Sequence, residues 1–205
     1  MTDIFFINLH KVLVFPVVLG LMWWFGNVSI EMCIYLALHG TYSLLWLMKQ
    51  SMYPDRRFEV RRPVWIGFLF VFLPLAGYYI APYLVASRHP SLPAPMIAGI
   101  VSLYTFGVFF HYVGDAQKYF TLRAGPGLIT DGLFSRVRNP NYLGEILIYC
   151  AFAALSAHWL PFVIVAAWSA FFFIPGARAK DKSLSRYPAY AAYRARTGAL
   201  VPRIW

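Results

Sequence analysis

Long uninterrupted apolar segments constrain this chain more than any other feature of its sequence. Six segments approach or reach the roughly 20 residues that an α-helix needs to cross a hydrocarbon core of about 30 Å. They lie at Phe5–Phe25, Ile30–Met48, Val64–Val85, Ala94–Tyr112, Tyr142–His158 and Leu160–Pro175. Because the apolar residues come in blocks and do not alternate, an outer-membrane barrel is excluded. The sequence therefore predicts an all-α integral membrane protein, a bundle of about six transmembrane helices.

The composition agrees with a single membrane domain over residues 1–205. Hydrophobic residues make up 60% of the chain and charged residues 13%, whereas soluble domains have about 25% charged residues. The two cysteines, Cys33 and Cys150, lie inside apolar segments, so we interpret them as packing residues and predict no disulfide and no metal site. The first segment has no basic residues before it and no cleavage site after it, so we expect it to be retained.

The basic residues follow alternate apolar segments. Of the 18 Lys and Arg residues, Arg88 lies in one set of loops and Lys11 inside the first segment, which leaves 16 that follow the second, fourth and sixth segments. Short loops rich in Lys and Arg stay in the cytoplasm. This pattern predicts cytoplasmic termini, in the inner or plasma membrane if the protein is bacterial. Topology and contact with anionic membrane lipids account for the net charge of +10, so we predict no nucleic-acid partner.

The stretch from His111 to Glu145 places ionisable residues at the end of one membrane segment, through a loop, and into the next. If the fourth helix continues past its apolar part, His111, Asp115 and Lys118 fall on one face. A weak ion pair on a solvated helix end would give the same pattern. The turn residues at 125–127 and 131–132 then predict a compact loop at the membrane surface.

Glu145 is the most informative residue of this stretch. Asn139-Pro140 predicts an N-cap followed by proline at the first helical position, which places Glu145 about 7–8 Å into the fifth helix. It lies one turn from Asn141 on the same face. A carboxylate at this depth indicates a functional site, because it needs a partner or a polar cavity. The alternative is a structural acid bonded to Arg138 or to a neighbouring helix.

Arg136 and Arg138 stand immediately before the predicted start of the fifth helix. Helix N-termini favour anions, and two guanidiniums at such a position predict a clamp for a phosphate or carboxylate. The alternative interpretation is that both arginines belong to the positive charge of the cytoplasmic loops.

Three tyrosines, Tyr187, Tyr190 and Tyr193, recur at three-residue spacing near the end of the chain, with arginines alongside. This spacing predicts a ridge on an amphipathic C-terminal helix. Such a helix is expected to anchor at the membrane interface, and the tyrosines could instead cover a flat ring such as adenine.

Together these residues resemble a known family. Asp115–Lys118, Gly132–Glu145 and the tail with Tyr187, Tyr193 and Pro202 are similar to the C-terminal domain of steroid 5α-reductases and sterol reductases, over roughly the last hundred residues. Members are membrane enzymes that reduce a carbon–carbon double bond with NADPH. The resemblance implies that residues 1–90 form the substrate side and residues 91–205 the cofactor-binding part. The resemblance, together with the basic and aromatic residues described above, predicts the cofactor-side positions Asp115, Gln117, Lys118, Arg123, Arg136, Arg138, Asn141, Tyr142, Glu145, Lys180, Asp181, Tyr187 and Tyr193.

The catalytic acid is less well defined, and two other functions fit the same residues. His39, Tyr42 and Glu145 are the candidate catalytic residues, although a lone histidine on an apolar helix is also typical of a hydrogen-bonded core, and the Gln-Glu pair of steroid 5α-reductases is absent from the first two segments. The Arg138–Gly144 run also resembles membrane methyltransferases that use S-adenosylmethionine. A non-catalytic lipid-binding protein is the third alternative. The expected function is NADPH-dependent reduction of a lipophilic substrate that is steroid-, sterol- or isoprenoid-like.

Overall fold

A computed structural model describes residues 1–203, and within them the chain forms helices and two isolated β-bridges but no strand. The long helices are α1 (Asp3–Phe25), α2 (Ile30–Met52), α3 (Val64–Arg88), α4 (Ala94–Ala124), α5 (Pro140–Leu155) and α6 (Trp159–Leu184). A short helix, α7 (Tyr190–Arg196), follows, and 3₁₀ turns lie at Arg56–Phe58 and Gly132–Ser135. The chain is a multi-pass integral membrane protein, which confirms the predicted fold class.

Two helices extend well beyond their predicted ends. Five of the long helices are long and apolar enough to span a membrane, and α5 is a shorter apolar helix of 16 residues. We predicted that the fourth helix would end near Tyr112 and the sixth near Pro175, whereas α4 continues to Ala124 and α6 to Leu184. Since the charged residues after Tyr112 therefore continue a rigid helix, their relative positions follow helical spacing.

Two π turns explain how Pro74 and Pro175 are tolerated inside membrane helices. The π turn Phe68–Phe72 of α3 ends two residues before Pro74, and the π turn Ser169–Phe173 of α6 ends two residues before Pro175. A proline lacks the backbone N–H and its ring collides with the carbonyl four residues earlier. Widening the preceding turn accommodates that collision, so each helix continues past its proline.

The chain divides into two compact units. The first unit comprises residues 1–101 and 149–164, and α1 packs against α2 at its centre. Polar contacts lie at both ends of α1. The Asn27 side chain donates to the carbonyls of Val85 and Ala86, at 2.9 and 3.1 Å, and Arg62 pairs with Asp3 at 2.8 Å.

The second unit comprises residues 102–148 and the chain from residue 165 onward. Here α4 and α5 approach so closely that only glycine fits at the crossing. A Cβ atom at Gly144 would lie 2.3 Å from the backbone nitrogen of His111, and one at Gly107 would lie 2.9 Å from the carbonyl oxygen of Gly144. This close crossing brings the polar residues of α4 and α5 together.

Candidate functional site

The crossing of α4 and α5 places a histidine beside a carboxylate. His111 is 1% exposed, and its Nδ1 atom lies 3.6 Å from Oε1 of Glu145 and 3.3 Å from the carbonyl oxygen of Asn141. The Glu145 side chain keeps 19% of its surface exposed. The distance of 3.6 Å lies beyond hydrogen-bond range but within ion-pair range. The partial exposure of the Glu145 side chain leaves part of its surface open to a ligand group.

Asp115 belongs to the same region of the second unit. It follows His111 by one helical turn on α4 and is buried, and the neighbouring Gly114 packs against Pro140, where an added Cβ would lie 3.0 Å from the proline ring. The α4 helix thus places Asp115 next to a residue that packs against the start of α5. The carboxylates of Asp115 and Glu145 can accept hydrogen bonds from amide groups and from hydroxyl groups such as those of a ribose.

Gln117 holds the loop that joins α4 to α5. Its Nε2 atom donates to the carbonyl of Asp131 at 3.1 Å, and its Oε1 atom accepts from the backbone N–H of Leu133 at 3.1 Å. Gly132 has a φ of +52°, and a Cβ there would lie 2.5 Å from the Gln117 amide. Only glycine suits this turn. The Gln117 side chain thus positions the loop through hydrogen bonds to its backbone.

The remaining basic residues of this region differ in their surroundings. Lys118 is half-buried, whereas Arg123 and Arg136 are exposed. Nη1 of Arg123 lies within 3.3 Å of the Tyr119 hydroxyl. Arg136 precedes the start of α5 and Arg123 lies in the last turn of α4, and an exposed guanidinium suits a phosphate group.

Arg138 is bound within the protein. Its Nε and Nη2 atoms donate to the two carboxylate oxygens of Asp181, at 2.9 and 3.0 Å, and Nη1 donates to the carbonyl and hydroxyl of Thr197. Burial on its own would lower the pKa of Arg138, but the hydrogen bonds and charge of Asp181 raise it above its ordinary value. Arg138 pairs with Asp181, 43 residues away, and does not bond to Glu145 in this arrangement.

The same contacts attach the end of the chain to the loop before α5. Gly198 exchanges backbone hydrogen bonds with this loop, donating to the Arg136 carbonyl at 3.1 Å and accepting from the Arg138 N–H at 2.8 Å. The Tyr193 hydroxyl donates to the Phe134 carbonyl at 2.9 Å. We call residues 193–199 the clamped tail. Its attachment fixes the loop that carries both arginines.

The tyrosine ridge expected in the tail is divided in the structure. Tyr187 lies in a turn before α7, because a residue that precedes a proline, here Pro188, avoids the helical conformation. Tyr190 and Tyr193 begin and continue α7, but both are buried. Burial is the main cause that raises the pKa of each of them to about 12. Of the three tyrosines, Tyr187 keeps a partly exposed ring.

Lys180 and Tyr142 form a second contact between α5 and α6. The Lys180 ammonium lies 3.8 Å from the centroid of the Tyr142 ring, which stacks on Phe173 with centroids 5.1 Å apart. Gly176 makes room for this ring, since a Cβ there would lie 3.0 Å from the Tyr142 hydroxyl. The cation–π contact orients the ammonium toward the start of α5.

His39 and Tyr42 lie in the first unit, on α2. Both are buried, at 0% and 1% exposure. Nδ1 of His39 is hydrogen-bonded to the Tyr35 hydroxyl at 3.0 Å, and the ring of Tyr42 lies 4.1 Å below the ammonium of Lys11. The sequence indicated no role for Lys11, which the structure places beside a candidate catalytic residue.

Asn139 has a different role from the predicted one. The helix α5 begins at Pro140 as expected, but Nδ2 of Asn139 donates to the Ala199 carbonyl at 3.0 Å, and its Oδ1 atom has no hydrogen-bond partner among residues 1–203. The predicted N-cap is therefore not formed by this side chain. Its bond to the clamped tail spans 60 residues, so no local pattern could have indicated it.

Fold and site define the class of this protein: a multi-pass helical membrane protein with a polar, partly basic site at the ends of its membrane helices. Residues 55–197 match the family described as proteins of unknown function, DUF1295, and the chain belongs to that family. The match contains all the candidate residues from Asp115 to Tyr193 and excludes Lys11, His39 and Tyr42. No curated protein matches the chain.

Proposed function

We propose that this protein is an NADPH-dependent reductase of a carbon–carbon double bond in a lipophilic substrate. The observation that supports it most is the α4–α5 crossing, where Asp115 and Glu145 lie on adjoining helices beside His111. The resemblance of the Asp115–Lys118 and Gly132–Glu145 runs to steroid and sterol reductases supports the same function. A steroid-, sterol- or isoprenoid-like molecule suits a chain whose helices lie in lipid.

The residues of the second unit suit a dinucleotide that is not bound in the Rossmann manner. The exposed guanidiniums of Arg123 and Arg136 would bind phosphates, and the carboxylates of Asp115 and Glu145 would accept hydrogens from hydroxyl or amide groups. Arg138 would act by holding the clamped tail and its loop in place. NADPH, when bound, supplies the hydride.

The other predicted positions have supporting roles in this proposal. Gln117 would fix the loop, while Lys180 and Tyr142 would present a cation and a ring near the start of α5, with Asn141 one turn before Glu145. Lys118, Asp181, Tyr187 and Tyr193 are proposed as cofactor-side residues, of which Asp181 and Tyr193 act through Arg138 and the tail. His39, Tyr42 and Glu145 remain the proposed catalytic residues, with His39 or Tyr42 as the acid.

Direct binding of two cofactors tests the proposal. Purified protein in lipid nanodiscs is titrated with NADPH and, separately, with S-adenosylmethionine, because the Arg138–Gly144 run and the α5–α6 hairpin also resemble membrane methyltransferases. We expect saturable binding of NADPH. Binding of S-adenosylmethionine alone would replace the reductase with a methyltransferase, and binding of neither would favour a non-catalytic lipid-binding protein.

Isosteric variants locate the cofactor. Glu145→Gln and Asp115→Asn each remove one charge-assisted hydrogen bond, which corresponds to roughly a tenfold to hundredfold loss of NADPH affinity. Glu59→Gln is the matched control, because Glu59 is exposed on the loop before α3. Unchanged affinity in both site variants would remove the α4–α5 crossing from the cofactor site.

A further inference from the structure

A cluster of polar side chains lies inside the first unit. We define the Lys11 cluster as Lys11, His39, Tyr42, Ser43 and Tyr149. The Lys11 ammonium donates to the Tyr149 hydroxyl at 3.1 Å and lies 4.1 Å from the centroid of the Tyr42 ring. His39 stacks on Phe152, with ring centroids 4.4 Å apart. These side chains come from α1, α2 and α5.

The cluster is buried far along a membrane helix. Lys11 is 2% exposed, His39 0% and Ser43 1%. Lys11 follows the first residue of α1 by eight positions, about 12 Å along the helix axis. An ionisable side chain at such a depth is costly, and it marks a substrate or ion site more often than a purely structural one.

Two atoms of the cluster have no hydrogen-bond partner among residues 1–203: Nε2 of His39 and Oγ of Ser43. The two residues are four positions apart on α2, so they share one face of the helix. A buried polar atom without a hydrogen bond is energetically unfavourable, and native proteins rarely contain two at neighbouring positions. A ligand that accepts or donates hydrogen bonds at these atoms would satisfy them.

We propose that the Lys11 cluster binds the carbonyl oxygen of a long-chain lipophilic molecule, either a ketone or a carboxylate. The ammonium of Lys11 offers only donors, and the hydroxyl of Ser43 can donate as well. Donors gathered in this way favour an oxygen acceptor. Aromatic rings surround them, since Tyr149 stacks on Tyr78 at 3.7 Å, and suit an apolar chain. The site shares His39 and Tyr42 with the proposed reductase, but probe retention is measured without NADPH, so either proposal can fail while the other stands.

Retention of defined probes tests this site. Protein in nanodiscs is equilibrated with palmitate, with a methyl ketone of similar length, or with the corresponding alkane, and native mass spectrometry measures the fraction of protein that retains one probe. We expect retention of the ketone or of palmitate, and none of the alkane. The variant Lys11→Met distinguishes a ketone ligand from a carboxylate ligand, because loss of the charge weakens carboxylate binding more than ketone binding. Equal retention of the alkane would overturn the proposal.

Ser43→Ala separates ligand binding from folding. The variant removes an unsatisfied hydroxyl, so the unfolding temperature of the protein without probe should stay the same or rise, while probe affinity falls about two- to tenfold. Ser51→Ala is the matched control, because Ser51 is exposed on the same helix. A lower unfolding temperature with unchanged probe affinity would mean that Ser43 bonds to an ordered water only, which would overturn the site.

A second variant examines the histidine with the same measurements. His39→Phe is combined with Tyr35→Phe, so that neither partner of the 3.0 Å hydrogen bond is left unsatisfied and the aromatic stacking is kept. The double variant should fold and lose probe affinity about two- to tenfold relative to Tyr35→Phe alone. If the folded double variant retains the probe as Tyr35→Phe does, His39 lies outside the site and the proposal is contradicted.

Discussion

The pair of Arg138 and Asp181 should control the stability of the clamped tail. Arg138→Met removes the cation, and the Asp181 carboxylate is left without the guanidinium that bonds to both of its oxygens. Breaking a buried pair in this way costs roughly 3–5 kcal/mol. Since the Asp181 side chain keeps 17% of its surface exposed, we expect the lower end, about 3 kcal/mol, for local opening of the tail.

Hydrogen exchange measures that opening directly. Amides of residues 194–203 should exchange roughly a hundredfold faster in Arg138→Met than in the unmodified protein, because about 1.4 kcal/mol corresponds to tenfold. Arg136→Met is the matched control, since Arg136 is exposed two residues earlier. The free energy of tail opening should fall less in the double variant Arg138→Met/Asp181→Asn than the sum of its decreases in the two single variants. Additive effects, or equal exchange in Arg138→Met and Arg136→Met, would refute the role given to this pair.

Three further predictions concern packing, pH and topology. Gly144→Ala should destabilise the protein by about 3 kcal/mol and sharply lower the yield of folded protein. Gly99→Ala is the control and should fold normally, because Gly99 has open space around it. Size-exclusion yield and thermal unfolding compare the two variants. Burial raises the pKa of Tyr190 and Tyr193 from 10.0 to about 12, so the folded tail retains protons that the unfolded chain releases. Its stability is therefore complete below pH ~10 and declines as the pH rises toward ~12, which hydrogen exchange across that range would follow. In inside-out vesicles a cysteine replacing Ser185, in a Cys33→Ala background, should react with an impermeant maleimide, and labelling only in right-side-out vesicles would reverse the predicted topology.

Hydropathy was sufficient to predict the fold class, because apolar length alone decides whether a helix can cross a bilayer. It was a poor guide to the ends of α4 and α6. Hydropathy falls after Tyr112, yet half of residues 113–124 are good helix formers and none is proline, so α4 continues. Pro175 looked like a terminator, but the π turn before it lets α6 continue into the segment that carries Asp181.

The local parts of the candidate site could be predicted, and the long-range parts could not. The positions of Asp115 and Glu145 follow from helical spacing and from the start of α5 at Pro140. The bond between Arg138 and Asp181 joins residues 43 positions apart, and no spacing rule reaches that far. Lys11 was missed for the same reason, because its partners come from α2 and α5 and no run of sequence contains them.

Deuteride transfer tests the proposed reductase most directly. Protein in nanodiscs is supplied with the lipid extract of its own membranes, with S-adenosylmethionine and with NADPH that carries deuterium at the transferable nicotinamide position. It is compared with Glu145→Gln protein by mass spectrometry of the lipids. The proposal predicts a lipid that has lost one double bond and gained one deuterium on carbon, formed much more slowly by the variant. A lipid that gains a methyl group from S-adenosylmethionine, with no deuterium incorporated from NADPH, would contradict it.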